Sequence, residues 1–552
     1  MRGQQWESPP FTWARMSRPH IRKQFQFLLR PGSGKLGFLT FTATLDSLDS
    51  LSPQALRALA AELIVTVGKR DRELVFRQTR IDQLTHELAL LKRFRFGRSS
   101  EQLDSGQASL LEESVDADLA AIEVELDDWQ TDSPERKPRS QSKRAALPAS
   151  LPRTDIHHKP DNLTCTCGCQ RVRIGEDVSE KIDYTPGVFT VERHIRGKWV
   201  CKPCETLVQA PVPPQVIDKG VPTAALLTWV LIAKYMDHLP LYRQERIFAR
   251  AGLAIPQLTL GAWVGVCGVR LQPLVDALHA EMMREVVPHA DETPVQMFSP
   301  GKGKTHRAYL WAYTATQFSS LRAVVYDFAP SRAGEHARAF LGAWQGKLVC
   351  DDYGGCKAGF TKGVTEIGCM AHARRKFFDL HVANQSQIAE QALKFFGALY
   401  DIEREAAQMT PQQRHTMRQE RGKPATDALH AWLISQKARV PQGSTIIKAI
   451  DYSLKRWVAL TRYLGDGSVP IDNNWLENQI RPGAIGRSNW LFAGLLRAGR
   501  RAAAIMSLIR SAQLNGHDPY AYLKDVLTRL PTQRDSAIAD LLPHRWTSPA
   551  VA

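Results

Sequence analysis

The chain has 552 residues, 43% of them hydrophobic, enough for several domains with cores of their own. Its 72 Lys and Arg against 56 Asp and Glu give a formal net charge of +16 and a pI near 9.5, which points to a polyanionic partner, nucleic acid ahead of an anionic membrane surface. No run of eighteen or more apolar residues marks a membrane span, the first residues lack the apolar stretch of a signal peptide, and nine cysteines, an odd and clustered set, argue against a disulfide framework; the expectation is a cytoplasmic protein with reduced or metal-bound thiols.

Residues 1–50 mix Trp, Pro, Arg and Phe without a period and read as an extension of unknown structure. Residues 51–130 read as helical. Val67, Leu74, Ile81 and Leu88 recur at heptad spacing with Leu84 and Leu91 between them, the pattern of a leucine-zipper-like coiled coil. Arg77 falls on that seam, and a single amphipathic helix packed on its own domain would show the same pattern. The basic, aromatic run from Lys92 to Glu101 suits either a phosphate backbone or a solvated helix end. Leu103 to Trp129 is acidic with scattered leucines, and residues 131–155 form a basic linker rich in Pro, Ser, Lys and Arg.

Residues 156–215 hold the cysteine cluster, Cys165-Thr-Cys167-Gly-Cys169 followed by Cys201-Lys-Pro-Cys204. Two thiol groups joined by a hairpin-sized segment suit a structural Zn2+ in tetrahedral geometry. Five cysteines compete for four corners, so the ligands are four of Cys165, Cys167, Cys169, Cys201 and Cys204, with His157 or His158 as substitutes; a redox pair or unliganded thiols are the other readings. Residues 216–283 predict helices. Within them Leu241–Arg250, a turn at Gly252 and Gln257–Val264 have the helix–turn–helix form of a DNA-reading unit, a form many all-helical segments share.

Residues 284–500 change character. Strands are predicted from Val286, over Arg307–Thr314 and over Leu321–Phe328, then a helix over Ala333–Trp344 and a short strand over Leu348–Cys350. A right-handed parallel crossover would make the first and fourth strands neighbours in a ribonuclease-H-like sheet and bring Asp291 beside Asp351. Two carboxylates that close are costly unless a divalent cation shares them, and hard oxygen ligands favour Mg2+ or Mn2+. Each aspartate also opens a turn-like sequence, so a turn-forming role is the plain alternative. A fifth strand over Thr365–Met370, a basic helix from His372, a helical insertion over about 380–468 and a returning helix after Asp472 follow. Asn474 with Glu477 has capping-box spacing and Glu477 with Arg481 that of an i,i+4 ion pair, so on spacing Glu477 is structural; a helix returning to the sheet is, however, where a third metal-binding carboxylate would have to come from. Residues 501–552 read as a C-terminal helical domain. The expected fold is multidomain α+β: a ribonuclease-H-like α/β core with a helical insertion, preceded by a coiled-coil helix and a small zinc-binding domain.

Four motifs in order carry a resemblance: His289-Ala-Asp291-Glu-Thr-Pro294, Cys369-x-Ala-His372-x-Arg-Arg-Lys-Phe377, Asp472-Asn-Asn-x-x-Glu477-x-x-Ile-Arg481-Pro482 and Asn489-Trp-Leu-Phe-Ala-Gly494. They look like those of transposases of the insertion sequence 66 family, over about Leu51 to Leu530. The C-terminal Ser507-Leu-Ile-Arg-Ser-Ala-Gln-Leu-Asn515-Gly is similar too. The resemblance implies a DDE transposase with Asp291, Asp351 and Glu477 as catalytic metal ligands, Asp351 rather than Asp352 because Tyr353 completes an Asp-x-Tyr motif. It further implies cleavage and joining of DNA, with His372, Arg374, Arg375, Lys376 and Arg481 on the nucleic acid. The implied partners are element ends and target DNA, further copies of the chain and small accessory proteins of the same element; the helical insertion between Asp352 and Glu477 is expected to contribute DNA contacts in trans within a dimer. Residues 1–50 have no counterpart in that family, and Cys165-x-Cys-Gly-Cys169 departs from its commoner Cys-x-x-Cys-Gly. A zinc-containing DNA-binding regulator, a nuclease that cuts without joining and a folded but idle transposase remain as other classes.

Overall fold

The computed structural model describes residues 52–96, 105–129, 147–299, 304–351 and 363–548. The extension, most of the basic linker, Asp352 and Tyr353 lie outside the described residues. The chain divides into two units, residues 1–64 and 65–552. Of the first, the described part is the opening of helix α1 (Pro53–Phe96), where the Ser52 hydroxyl accepts the Ala55 amide at 3.2 Å and so caps the helix.

In the second unit, the remainder of α1 meets α2 (Ser105–Trp129), which folds back along it through Arg80–Glu125 at 3.2 Å, Lys92–Glu123 at 3.0 Å and Arg95–Asp116 at 2.8 Å. Leu84 is fully buried, and Leu88, Leu91 and Phe94 pack on Leu110, Leu111 and Val115. Val67 and Leu74 remain 55% and 62% exposed. The heptad pattern is thus satisfied within the chain over its C-terminal half, as an amphipathic helix on its own domain.

A sheet of β1 (Arg153–His158), β2 (Val172–Thr185), β3 (Val188–Cys201) and β4 (Thr206–Gln209) follows. β2 and β3 are a long antiparallel hairpin closed by Pro186-Gly187, where Gly187 takes φ +88°. Its closed end enters the helical core: the Tyr184 ring lies 4.7 Å from Phe189, 4.9 Å from Trp229 and 5.0 Å from Phe248. The far end pairs Val172 with Val200, and the next residue, Cys201, pairs with Thr206.

The core helices are α3 (Ala224–Tyr235), α4 (Leu241–Arg250) and α5 (Gln257–Met282). The helix–turn–helix expectation falls on α4, the Gly252 turn and the first turns of α5. The face of α5 is covered by α2, so closely that a Cβ on Gly265 would lie 2.1 Å from the Ala117 carbonyl oxygen, and Gln257 is bonded to Ser109. Arg243, Arg246 and Arg250 are exposed on α4. α5 is also apolar and long enough, by composition, to cross a bilayer, but it is a core helix, with 56% of its most apolar window buried by the protein itself.

The central sheet contains β5 (Pro288–Ser299), β6 (Lys304–Ala315), β7 (Val324–Ala329), β8 (Lys347–Cys350) and β9 (Thr365–Gly368) in the order β7-β6-β5-β8-β9, with α6 (Gly334–Leu341) crossing from β7 to β8. β5, β6 and β7 are antiparallel neighbours; β8 is parallel to both β5 and β9. The predicted adjacency of first and fourth strands is therefore present. Alternation along β6 sends Leu310 and Ala312 to one face, with Val295, Leu476 and Ile480, and Trp311 and Tyr313 to the other, with Ala337 and Leu341.

Helices α7 (Met370–Asn384), α8 (Gln387–Glu405), α9 (Pro411–Met417), α10 (Lys423–Lys437), α11 (Thr445–Lys455) and α12 (Trp457–Thr461) build the insertion on the β8–β9 side. It has a core of its own around Phe377, Phe396, Leu429 and Ile450. A fully buried Arg418 is satisfied there by Glu403 and by the carbonyls of Tyr463, Asp466 and Val469 at 2.8 to 2.9 Å. α13 (Asn474–Trp490), α14 (Leu496–Leu514) and α15 (Pro519–Arg529) complete the chain. Between α13 and α14, Ala493 bonds Gln296 and Phe298 and extends the sheet past the short β8, which gives the Asn489–Gly494 motif a structural task.

The C-terminal serine motif also has one. Ser507, Ser511 and Asn515 lie one turn apart on α14, facing the edge strand β7. The amides of Tyr326 and Val324 donate to the Ser507 and Ser511 hydroxyls at 2.8 and 2.9 Å, and Asn515 donates to the Arg322 carbonyl at 2.7 Å. A helix here serves in place of a sixth strand and blunts the sheet edge. Ser507→Ala strands the buried Tyr326 amide and is expected to cost about 1–3 kcal/mol, read as a lower denaturation midpoint at unchanged slope.

Candidate active site and metal centre

The parallel register pairs His289 on β5 with Val349 on β8. Asp291 and Asp351 each lie two residues further on, so strand alternation turns both to one face, the face under α13. The Asp291 carboxyl is pushed up to about 8, first by burial and next by the charge of Asp351, with Glu292 and Glu477 adding to it against the lowering hydrogen bond from the Glu292 amide.

Glu477 stands in the first turn of α13. Neither structural role that its spacing allowed is realised. The helix cap is Asn473, the Asn474 amide bonds Asp472 Oδ1 at 3.0 Å, and the Glu477 carboxylate lies 3.3 Å from Arg375 and 3.8 Å from His372 rather than against Arg481. Its Oε1 is buried and accepts no hydrogen bond. A buried carboxylate oxygen without a donor, beside two further acids, fits a divalent cation. Among the described residues the three acids do not gather as tightly as the thiols below, and the Glu477 carboxylate is paired with Arg375.

The basic residues of α7 divide. His372 and Arg375 reach Glu477, whereas Arg374 lies over the Phe378 ring at 5.7 Å and Lys376 over the Tyr452 ring at 4.4 Å. Arg481 is exposed on α13.

Other groups at the site had no predicted role. Arg332, in the loop before α6, is held 2.5 Å from Glu292 and reaches within 3.9 Å of Asp351, placing a half-exposed guanidinium at the rim. His289 is fully buried and kept neutral, its pKa pushed down to about 4 by burial. Its Nδ1 lies 2.6 Å from Asn473 Oδ1, and the Asn473 amide nitrogen lies 3.4 Å from Asp291 Oδ2. His289 and Asn473 both belong to motifs legible in sequence, although nothing there pairs them; Arg332 belongs to none.

The metal centre lies at the open end of the β2–β3 hairpin. The sulfurs of Cys165, Cys167, Cys201 and Cys204 all lie within 4.8 Å of one another, and Cys167 and Cys201 are 3.6 Å apart. Zinc–thiolate bonds of about 2.3 Å make a tetrahedron with edges of about 3.8 Å, so the four thiols fit Zn2+. The Cys167 backbone amide and the Thr206 hydroxyl hold the Cys165 thiol down to about 5, toward the thiolate a metal requires. Cys169 is outside the cluster; its carbonyl takes the Cys165 amide at 2.9 Å and shapes the turn. His158 is outside it too, stacked on His194 with ring nitrogens 2.9 Å apart. Four thiols leave no open corner, which fits a structural Zn2+.

Comparison with known proteins agrees in outline. A family model described as "Transposase IS66 family" matches residues 219–501. Models described as "zinc-finger binding domain of transposase IS66", "Transposase C of IS166 homeodomain" and "IS66 C-terminal element" match residues 162–205, 83–156 and 507–544. Two relatives from Sinorhizobium fredii (strain NBRC 101917 / NGR234), Uncharacterized protein y4jD and Uncharacterized protein y4qI, are each 34% identical, over 85% and 86% of this chain and 95% and 90% of their own lengths. A third, Uncharacterized protein y4hP, is 32% identical over 87% of this chain and 90% of its own.

Proposed function

This chain belongs to the IS66 transposase family, and from that premise we propose that it cuts and joins DNA at a ribonuclease-H-like site whose metal ligands are Asp291, Asp351 and Glu477. One observation carries the reading: β5 and β8 pair in parallel, with an aspartate two residues beyond the pairing on each strand. The order β7-β6-β5-β8-β9, with a helix crossing from the third to the fourth strand, is the order a ribonuclease-H-like sheet requires.

Mg2+ or Mn2+ held there would supply Lewis-acid activation of a water or DNA 3′ hydroxyl and neutralise charge on the leaving oxygen. The protein's own part is positioning and electrostatics. Asp291 lies on β5 and Asp351 one residue past the end of the neighbouring parallel strand β8, so the sheet brings the two together. Glu477 comes from a helix start and can turn between Arg375 and the two aspartates. As Glu477 turns toward them, Arg375 and His372 are released to bind the scissile phosphate, so the charges that neutralise one another in the protein alone are redistributed onto DNA. Arg374, Lys376 and Arg481, exposed nearby, are assigned to the flanking backbone. The element ends and target DNA are the substrates. Copies of the chain acting together, with the insertion reaching DNA in trans, and accessory proteins of the element belong to the same reading, as does action in the cytoplasm.

The test is cleavage and joining of labelled element-end DNA with Mg2+, Mn2+ or Ca2+. Asp351→Asn and Glu477→Gln are expected to lose both steps while DNA binding survives. A native protein that binds these ends yet never cuts with Mg2+ or Mn2+, accessory proteins included, would instead be a regulator or an idle transposase.

A further inference from the structure

Asn473 joins three elements that the acid site depends on. It is fully buried. Its side-chain oxygen accepts from His289 Nδ1 at 2.6 Å, which fixes His289 as the Nδ1–H tautomer. Its side-chain nitrogen is then directed at Asp291 Oδ2 and the Ala290 carbonyl, both at 3.4 Å. Its backbone amide donates to Cys369 Sγ at 3.2 Å, at the start of α7. Its carbonyl accepts the Glu477 amide at 3.1 Å, in the first turn of α13.

One residue thus touches β5 through Asp291 and His289, α7 through Cys369, and the turn that carries Glu477. A cap this deeply buried satisfies no orphan amide of its own helix with its side chain, so helix capping does not account for it. Neighbouring Asp472 takes that task, accepting the Asn474 amide and the Tyr400 hydroxyl, the latter at 2.7 Å.

We propose that Asn473 is a positioning residue, oriented by His289, whose amide nitrogen sets the rotamer of the Asp291 carboxylate and whose backbone sets the phase of α13, so that Asp291 and Glu477 present oxygens to a divalent cation together. This rests on the acid-triad reading above. It makes Asn473 and His289 an outer layer of the cation site, in which orientation of a ligand is fixed by a neutral hydrogen-bonded pair and no charge is added.

The experiment measures Mn2+ binding to the protein without DNA, by titration calorimetry, beside cleavage of element-end DNA as a function of Mn2+ concentration and thermal melting. Asn473→Ala removes the contact with Asp291, and His289→Gln keeps an amide donor for Asn473 in place of Nδ1–H. Asn473→Ala is expected to weaken Mn2+ binding and shift the cleavage curve by about 10–100-fold, with His289→Gln close to native and both melting near the native protein. If Asn473→Ala fails to fold, His289→Leu is measured in its place and should show the same shift. Native Mn2+ affinity in Asn473→Ala, or losses that follow only the unfolded fraction, overturn the proposal. Asp291→Asn separates the two levels: if it retains Mn2+ binding and cleavage, the triad reading itself fails, whereas if it loses them while Asn473→Ala does not, only the positioning role is lost.

Discussion

Asp291→Asn is expected to abolish strand cleavage while raising the melting temperature of the metal-free protein. The two effects have one cause. Asp291 is buried beside Asp351, and burial with that neighbouring charge pushes its carboxyl up to about 8, far above the 3.8 of an ordinary aspartate. Below pH 4 the group is protonated whether the chain is folded or not, and its contribution to stability is fully present. As pH rises toward 8 the unfolded chain releases a proton that the folded chain keeps, so stability falls throughout that window. Asparagine has nearly the same shape, no charge and no such slope. The metal-free variant should therefore gain most over the native protein near pH 8 and little near pH 4.

Divalent cation acts in the opposite sense. It binds the carboxylate, so Mg2+ should stabilise the native protein more at pH 8 than at pH 6, and should do little for Asp291→Asn. Cleavage by the variant should fall by at least about a thousandfold, since the lost charge acts where the reaction needs it. Melting curves at pH 6, 7 and 8, with and without Mg2+, and a cleavage assay on the same samples decide the matter. A variant that melts lower than native at pH 8 without metal, or one that still responds to Mg2+, would show that Asp291 is a structural turn former.

The parts of this site that depend on local pattern were legible in the sequence, and the parts that depend on distant partners were not. Strand character and the crossover helix around Asp291 and Asp351 follow from residue type and period, and the sheet carries both where the order of elements requires. Glu477 was ambiguous because capping boxes, ion pairs and metal ligands share i+3 and i+4 spacing; the helix began one residue earlier than a capping box needs, and Arg375, 102 residues away in sequence, took the place of Arg481. The 184-residue separation of His289 and Asn473, and the 40-residue one of Glu292 and Arg332, leave no periodic trace. The helix–turn–helix form of α4 and α5 stays open in sequence because a helix pair around a glycine turn looks the same in a core, and the approach of α2 to Gly265 leaves no trace there. The serine stripe of α14 was visible as a motif, yet its partner, the edge of β7, lies about 180 residues upstream.

Cysteine arithmetic left the ligand set open for a related reason and leads to the second large expected effect. Five thiols and four corners cannot be resolved by counting, but Cys169 lies outside the four whose sulfurs gather within 4.8 Å, and its carbonyl takes the Cys165 amide, so Cys169→Ser should retain one Zn2+ per chain while Cys165→Ser, Cys167→Ser, Cys201→Ser or Cys204→Ser should each lose it. Zinc in such sites is worth on the order of 10 kcal/mol of folding energy at pH 7, far more than any other contact at this end of the hairpin supplies. The damage should nevertheless stay local. β2 and β3 are anchored at their closed end by Ile182, Tyr184 and Phe189 in the helical core, so chelation should open the knuckles and β4 to protease while the main thermal transition barely moves. Zinc content of the purified variants, limited proteolysis with fragment mapping and melting curves give three independent readings. Zinc lost from Cys169→Ser but kept by Cys165→Ser would exchange the two in the ligand set. A main transition that collapses on chelation would mean that the hairpin's open end, and not its closed end, holds the arm to the core.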